Sequence, residues 1–521
     1  MHQSYILLGW VVVATVLFQI ASLVVRRKRY NALAKAWGCG DVPYLTNMGF
    51  LGLSHLNRMV AADEAQLFPD EMQDWHNQMC KSTGRTCATF KTTFLGQTSY
   101  FTSDPKNIQA LLATKFGDFD LGSTRRGNLI ATLGDGIFVQ DGTPWEHSRA
   151  LLRPNFVRSQ VSDLQLEERH MQHLFKALPI QSDGWTRAVD LKTLFFRLTI
   201  DTSTEFLFGE SVGSLSSNVS QAGKDESLFS RHFDSAQSHL AQRSRLGDRY
   251  WLHNPRNFKK DNEVVNKFVD HYVKLALMKG QTQEKLEEGK YVMLEELAQQ
   301  TRDPEELRGQ LLNILLAGRD TTASLLSWLF HILAKDPDAY AKLRGAIIDT
   351  FGTYSAPQEI NFSTLKGCKT LQNYLNEALR LWPVVPVNAR RSNKATTLPT
   401  GGGPNGTSPV FVPPQMEIVY SVHVTHNRAD IWGEDAHLFK PERFESRRPN
   451  WDYIPFNGGP RICLGQQLAL TTAGYVVVRL IQRFDKMQGV GSWVNERPKS
   501  NLGLTNAPGD GVVVRLHAAD E

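Results

Sequence analysis

Apolar residues recur at spacings of three and four through much of the chain, the pattern of helices that bury one face. This period predicts helices over Asn107 to Lys115, Gln160 to Leu178, Thr193 to Phe208, Val264 to Met278, Leu307 to Leu333, Leu371 to Leu381 and Leu468 to Phe484. Alternating patterns are short: TCATFKTTF (Thr86 to Phe94), MEIVYSV (Met416 to Val422) and DGVVVRLH (Asp510 to His517) predict strands. The fold class is therefore mainly α with a small β-sheet region. Phe119 to Pro144 follows neither period, is rich in glycine and turn residues, and reads as a long irregular loop of the kind that carries function.

One apolar run lacks any polar face. Tyr5 to Val25 (YILLGWVVVATVLFQIASLVV) is long enough as a helix to cross a bilayer, and RRKR (Arg26 to Arg29) follows at once. A cleaved secretory signal places its basic residues before the apolar run and a small-residue cleavage site after it, which is not the order here. Residues 1–30 thus read as a single-pass membrane anchor with a basic stop-transfer cluster that holds the rest in the cytosol. No linker or repeat interrupts the chain beyond about Trp37, so residues 31–521 read as one large domain.

Composition adds exclusions. A chain of 521 residues with 41% hydrophobic and 21% charged positions is an ordinary folded protein. Its net charge of +5 is small for its length, and no zinc-finger or RNA-binding signature accompanies it, so nucleic acid is not the expected partner. The five cysteines are scattered and odd in number, which suits a reducing compartment and argues against a disulfide framework.

Three segments could carry chemistry. In QLLNILLAGRDTTASLLSWLFHIL (Gln310 to Leu333) an apolar helix is interrupted at Ala317 to Thr322. Threonine hydroxyls can capture a carbonyl one turn back, so a local widening is expected. Asp320 beside Thr321 makes an acid next to an alcohol, a proton path; the other reading is a core helix whose polar break is satisfied by neighbours. In LNEALRLWP (Leu375 to Pro383), Glu377 and Arg380 share a helical face. They form either a surface salt bridge or, with Arg443 of PERF, a buried ionic cluster. In FNGGPRICLG (Phe456 to Gly465), Cys463 is a buried inert thiol, a nucleophile, or a metal thiolate favoured by glycines, Arg461 and the helix that follows. With no second ligand in the loop, zinc and iron-sulfur sites are disfavoured, and haem iron with one thiolate remains.

Together these motifs resemble the cytochrome P450 family: FxxGxRxCxG at Phe456, Gly459, Arg461, Cys463 and Gly465; AGxDTT at Ala317, Gly318, Asp320, Thr321 and Thr322; ExxR at Glu377 and Arg380; and PERF with Arg443. The resemblance spans essentially the whole chain and implies the P450 fold, a haem b (iron protoporphyrin IX) cofactor and monooxygenase activity. It implies that Cys463 is the metal ligand, that Phe456 packs beside it, and that Arg461 holds a haem propionate. Trp145 and Arg149 of WEHSR, and Arg390, are implied as further propionate partners, while Asp320 and Thr321 manage protons and Glu377, Arg380 and Arg443 are structural. His147, inside WEHSR, has no role that the family assigns.

The segments ALLATKFGDFDLG, LGDGIFVQDGTPWEHSRALLRPNF and LLAGRDTTASLLSW are similar to the fungal microsomal P450s that hydroxylate n-alkanes and fatty acids at the chain end. That implies a long aliphatic substrate, electrons from NADPH through NADPH-cytochrome P450 reductase with cytochrome b5 as an optional donor, and an endoplasmic reticulum membrane location. Arg125 and Arg126 are candidates for holding a fatty-acid carboxylate or are solvated loop arginines. The alternatives are tailoring of a fungal secondary metabolite such as a polyketide, a P450-fold isomerase or dehydratase, and a non-catalytic haem binder.

Overall fold

The helical period is realised in the computed structural model, which describes residues 2–156, 164–215, 221–282 and 291–519. Among its helices are α1 (His2–Ala36), α2 (Ser123–Leu133), α3 (Gly142–Leu152), α4 (Leu191–Phe208), α5 (Gln221–Arg245), α6 (Arg256–Thr282), α7 (Pro304–Lys335), α8 (Lys369–Leu381) and α9 (Gln466–Arg483). The predicted helix at Gln160 to Leu178 is observed as Gln165–Lys176, and residues 160–163 of that prediction lie outside the described residues. Contacts divide the chain into two compact units: Met1–Leu56, Asp74–Asp120 and Ala389–Tyr420 form the first, and Asn57–Gln73, Leu121–Asn388 and Ser421–Glu521 the second.

In the first unit, five strands pair in the order Thr89–Phe94, Gln97–Thr102, Glu417–Ser421, Val387–Ser392 and Phe119–Asp120. The first two form a hairpin closed by Leu95 and Gly96, both at positive φ (46° and 82°), as a tight two-residue turn demands. Phe90 lies opposite Phe101 in this register and stacks on it at 4.8 Å, with Trp75 edge-on to Phe101. Helix α1 also belongs here. It runs unbroken through RRKR and leaves Phe18 and Val25 74% and 67% exposed, while Tyr30 near its end packs against Phe411 at 5.7 Å. Among the described residues no helix is long and apolar enough to cross a membrane. The side chains at 2–4, 6–9 and 12, part of the expected single-pass anchor, lie outside the described set.

The second unit is built around α7. The Asp303 side chain caps its start, accepting from the Glu305 N–H at 2.9 Å, and Pro304 occupies the first turn where its missing N–H costs nothing. Leu307, Leu311, Leu312 and Leu315 are fully buried, as are Leu326, Leu329 and Phe330, the mark of a helix enclosed on all sides. Its second half packs in one core with Leu371 and Leu375 of α8 and Val476, Val477 and Ile481 of α9. Trp328 stacks flat on Trp382 at 4.3 Å. The predicted C-terminal strand is Val513–Ala518, paired antiparallel with Phe484–Gly489.

One expectation is corrected. The supposed irregular loop at Phe119 to Pro144 contains α2, an eleven-residue helix. Its sequence, STRRGNLIATL, has a weak apolar period because much of its buried side is polar: Asn128 donates to the Leu240 carbonyl and Thr132 to Asn262 Oδ1. Gly122 and Gly134, at φ 87° and 67°, bound it. Tertiary contact overrides local preference there.

Candidate functional site

The loop FNGGPRICLG is shaped by local backbone demands. Asn457 and Gly459 adopt left-handed conformations, and a Cβ at Gly458 would fall 2.6 Å from the Trp451 ring. The Cys463 N–H donates to the Phe456 carbonyl at 3.0 Å, which closes the turn just before α9 starts at Gln466. Cys463 combines two properties that rarely coexist. Its surroundings are dense enough that burial pushes its thiol pKa up, against opposing pulls from the Gly465 N–H and the Arg149 charge; yet its surface is exposed. That is the condition of a side chain lining an internal space open to a ligand.

Helix α3 supplies the flank of this space. Trp145 is buried, and the Arg461 guanidinium lies 4.3 Å over its ring, with Arg149 at 6.0 Å. Arg461 Nη2 donates to the Gln140 carbonyl and to Asp141 Oδ1, both at 2.9 Å, while Arg149 Nη1 donates to the Ile462 carbonyl at 3.1 Å. Asp141 is a residue that the sequence reading did not single out. Its carboxylate makes no cap bond, accepting instead from Arg461 and from the N–H groups of Leu121 and Gly122 at 2.8 and 3.0 Å. His147 pairs with Glu306 at 2.8 Å and is mostly exposed.

On α7 the motif AGRDTT remains regular helix. Thr321 Oγ1 donates to the Ala317 carbonyl at 2.6 Å, as the sequence suggests, but the helix does not widen. Ala317, Gly318 and Thr321 are only half-buried amid fully buried neighbours, so this face borders open space inside the unit. A Cβ at Gly318 would meet Ser203 Oγ of α4 at 3.0 Å, so glycine allows the close crossing. Asp320 is enclosed, and burial raises its pKa to about 6, partly opposed by Arg319 and reinforced by Asp234. Arg319 pairs with both carboxylates. Among these partners only Asp320 was singled out from sequence. The available signal was Arg319 itself, a charge in a core helix that needs an answer, though nothing local names the answering residue.

Glu377 and Arg380 are fully buried and joined twice, at 2.7 and 2.8 Å. Arg380 also donates to the carbonyls of His426 (2.8 Å) and Leu438 (3.2 Å), Glu377 Oε1 accepts the Lys440 N–H at 2.9 Å, and Arg443 lies 3.4 Å from it. Arg390 belongs to the first unit, where it is buried, donates to the Ala389 carbonyl at 2.8 Å and lies 5.7 Å over the Tyr420 ring. Arg126 is paired with Asp135 at 2.9 Å, so its charge is already met; Arg125 donates to the Phe138 carbonyl and Asn388 Oδ1.

Comparison with known proteins follows the same lines. The family described as Cytochrome P450 matches residues 65–510. Cytochrome P450 monooxygenase g430 of a Fusarium species is 49% identical over 519 residues, 97% of this chain and 89% of that protein. Cytochrome P450 52A13 of Debaryomyces hansenii is 42% identical over 527 residues, 99% and 98% of the two chains. Cytochrome P450 monooxygenase alt2 of Alternaria solani is 39% identical along the full length of both.

Proposed function

The chain belongs to the cytochrome P450 family, monooxygenases that bind haem, and on that premise we propose that it hydroxylates a long-chain aliphatic substrate, a fatty acid or n-alkane, at or near the terminal carbon. The observation that carries the haem-thiolate part is Cys463, an accessible sulfur in enclosed surroundings. The donor set fits an iron porphyrin. One soft thiolate leaves the other metal positions to a planar chelate, the guanidinium groups of Arg149 and Arg461 suit its carboxylates, and the Trp145 indole lies beside them.

Haem, when bound, supplies oxygen activation and electron storage. The side chains do the rest. Cys463 loses its proton on ligation, and the Gly465 N–H and Arg149 stabilise the sulfur charge. Phe456 fixes the cysteine backbone through its carbonyl. Asp320, its pKa raised by burial to about 6, is the acid assigned to proton handling, and Thr321 presents its hydroxyl on the half-open face. Glu377, Arg380 and Arg443 hold the fold.

Support for an aliphatic substrate comes from the small, uncharged Ala317 and Gly318 on that face, from the resemblance to fungal n-alkane and fatty-acid hydroxylases, and from the relative named 52A13. P450 monooxygenases draw electrons from a redox partner; here we assign NADPH-cytochrome P450 reductase, with cytochrome b5 as a second donor. Residues 1–30 anchor the protein in the endoplasmic reticulum membrane and 31–521 form the haem domain on the cytosolic side, a reading that rests on the apolar run and the exposed side chains of α1. Carbonate-resistant membrane association that is lost on deleting residues 1–30 is the expected outcome.

The deciding experiment incubates microsomes containing this protein and a fungal reductase with mixed alkanes, fatty acids and host extract, reading products by mass. Terminally hydroxylated chains are expected only with NADPH. The Cys463→Ala variant should lose the thiolate-haem band of the reduced carbon monoxide complex. The comparable similarity of the Fusarium and Alternaria relatives, whose names carry no 52A designation, supports a second reading, oxidation of a fungal secondary metabolite such as a polyketide. Oxidation of a host-extract component with every simple chain untouched would select it, and turnover without NADPH would select an isomerase.

A further inference from the structure

Asp320 is part of a cluster that reaches the surface through another helix. Arg319 Nη1 lies 3.2 Å from Asp320 Oδ1 and also pairs with Asp234 on α5. Gln237, the next turn of α5, lies between both neighbours, and its amide is assigned with the nitrogen toward Asp320 and the oxygen toward Arg319, the orientation in which it donates to Asp320 Oδ2 and accepts from Arg319 Nη1 at 3.3 Å. Phe196 of α4 and Phe233 of α5 cover the guanidinium at 5.4 and 5.9 Å. The Asp234 side chain is 55% exposed, whereas those of Arg319 and Asp320 are 6% exposed. A chain of polar groups therefore leads from solvent on α5 to a buried carboxyl on α7.

The cluster is incompletely matched. One guanidinium serves two carboxylates, and among the described residues Asp320 Oδ1 and Arg319 Nε have no hydrogen-bond partner. What Asp234 draws from Arg319, Asp320 loses. The charged groups facing Asp320 are Arg319 from its own helix and Asp234 from α5; α4 offers this stretch Phe196 and Ser203, neither of which carries charge.

We propose that Arg319 and Gln237 are positioning residues for Asp320, and that Asp234, by sharing the Arg319 guanidinium, couples the seating of α5 on α7 to proton delivery from that carboxyl. With α5 seated, Asp234 competes for Arg319 and Asp320 holds its proton more firmly. With α5 lifted, Arg319 turns wholly to Asp320, which stays ionised, and delivery stops. This gives the enzyme a way to withhold protons until the helix is in place. The inference rests on the reading of Asp320 as the proton-handling acid.

The test uses the full-length holoprotein in three variants, Asp234→Asn, Asp234→Glu and Asp320→Asn. Carboxyl-stretch infrared titration of the resting protein, with Asp320→Asn as the difference reference, follows the Asp320 proton directly. Product formed per NADPH in the reductase system follows delivery. In Asp234→Asn the Asp320 midpoint should fall by about one pH unit, a tenfold loss of proton affinity, and product per NADPH should drop several-fold at unchanged haem content and KM. Asp234→Glu should restore both. Asp234 is largely exposed, so its variants leave the core intact. If Asp320→Asn uncouples the enzyme but Asp234→Asn alters neither readout, coupling through Arg319 is overturned while the role of Asp320 stands. If Asp320→Asn remains fully coupled, that role fails and the inference fails with it.

Discussion

Glu377 and Arg380 are enclosed and fully answered, whereas Asp320 and Arg319 are almost as deeply enclosed and are not. In the first cluster a bidentate ion pair is surrounded by main-chain partners, the carbonyls of His426 and Leu438 and the Lys440 N–H; Arg443 lies alongside, its own Nε without a hydrogen-bond partner among the described residues. In the second, one guanidinium is divided between two carboxylates and atoms remain unmatched. Backbone partners cannot move without unfolding, so the first arrangement has one state. Side chains on two helices can exchange partners, so the second can have two. Saturation of a buried charge thus separates a structural role from a chemical one better than depth does.

The largest effect should come from Arg380→Ala. It strands Glu377 as a buried charge, at a cost of about 3–5 kcal/mol, and haem per protein should collapse; full haem content would erase the distinction between the clusters. Next is the pH dependence of stability. The Asp320 pKa is raised in the folded state, from 3.8 to about 6, so the native protein keeps a proton that the unfolded chain releases. That stabilisation is complete below the lower value and is lost as pH rises through the upper one, by up to about 3 kcal/mol. The urea midpoint of wild type relative to that of Asp320→Asn, measured at each pH so that the other titrating groups cancel, should fall across this window.

Thr321→Ala should be milder for the fold and harsher for turnover. Loss of one hydroxyl bond to the Ala317 carbonyl costs about 1 kcal/mol, haem is retained, and NADPH is consumed with peroxide release instead of product. Equal haem loss in Thr321→Ala and Arg380→Ala would contradict the contrast. The smallest effect belongs to His147→Ala. Its pair with Glu306 is exposed on the histidine side, and its removal should shift stability by less than about 1 kcal/mol, giving the baseline for a charge contact outside both clusters.

How far the sequence could be read follows from the same physics. Helices α7, α8 and α9 lie within a few residues of their predicted spans because each buries an apolar face, a signal written in their own residues. The Cys463 loop was legible for a similar reason: its glycines, its arginine and the following helix are contiguous. Helix α2 was hidden by polar contacts to other helices, and Asp141 because its partners Leu121, Gly122 and Arg461 are far from it in sequence. Helix α5 is absent from the predictions although Phe229, Phe233, Ala236 and Leu240 repeat at the helical spacing and are all buried. The pairing of Arg319 with Asp234 could not be read at all, because distant charges acquire partners only once two helices are packed.

Asp141 carries a consequence for redesign. Its carboxylate binds Arg461 of the cysteine loop and the main chain of Leu121 and Gly122, at the threshold of α2. Any graft of α2 from a relative passes its junction through this carboxylate. A chimaera that crosses over after Gly122 keeps the three-way tie, whereas one that crosses before Leu121 imports a foreign backbone onto a residue fastened to the cysteine loop.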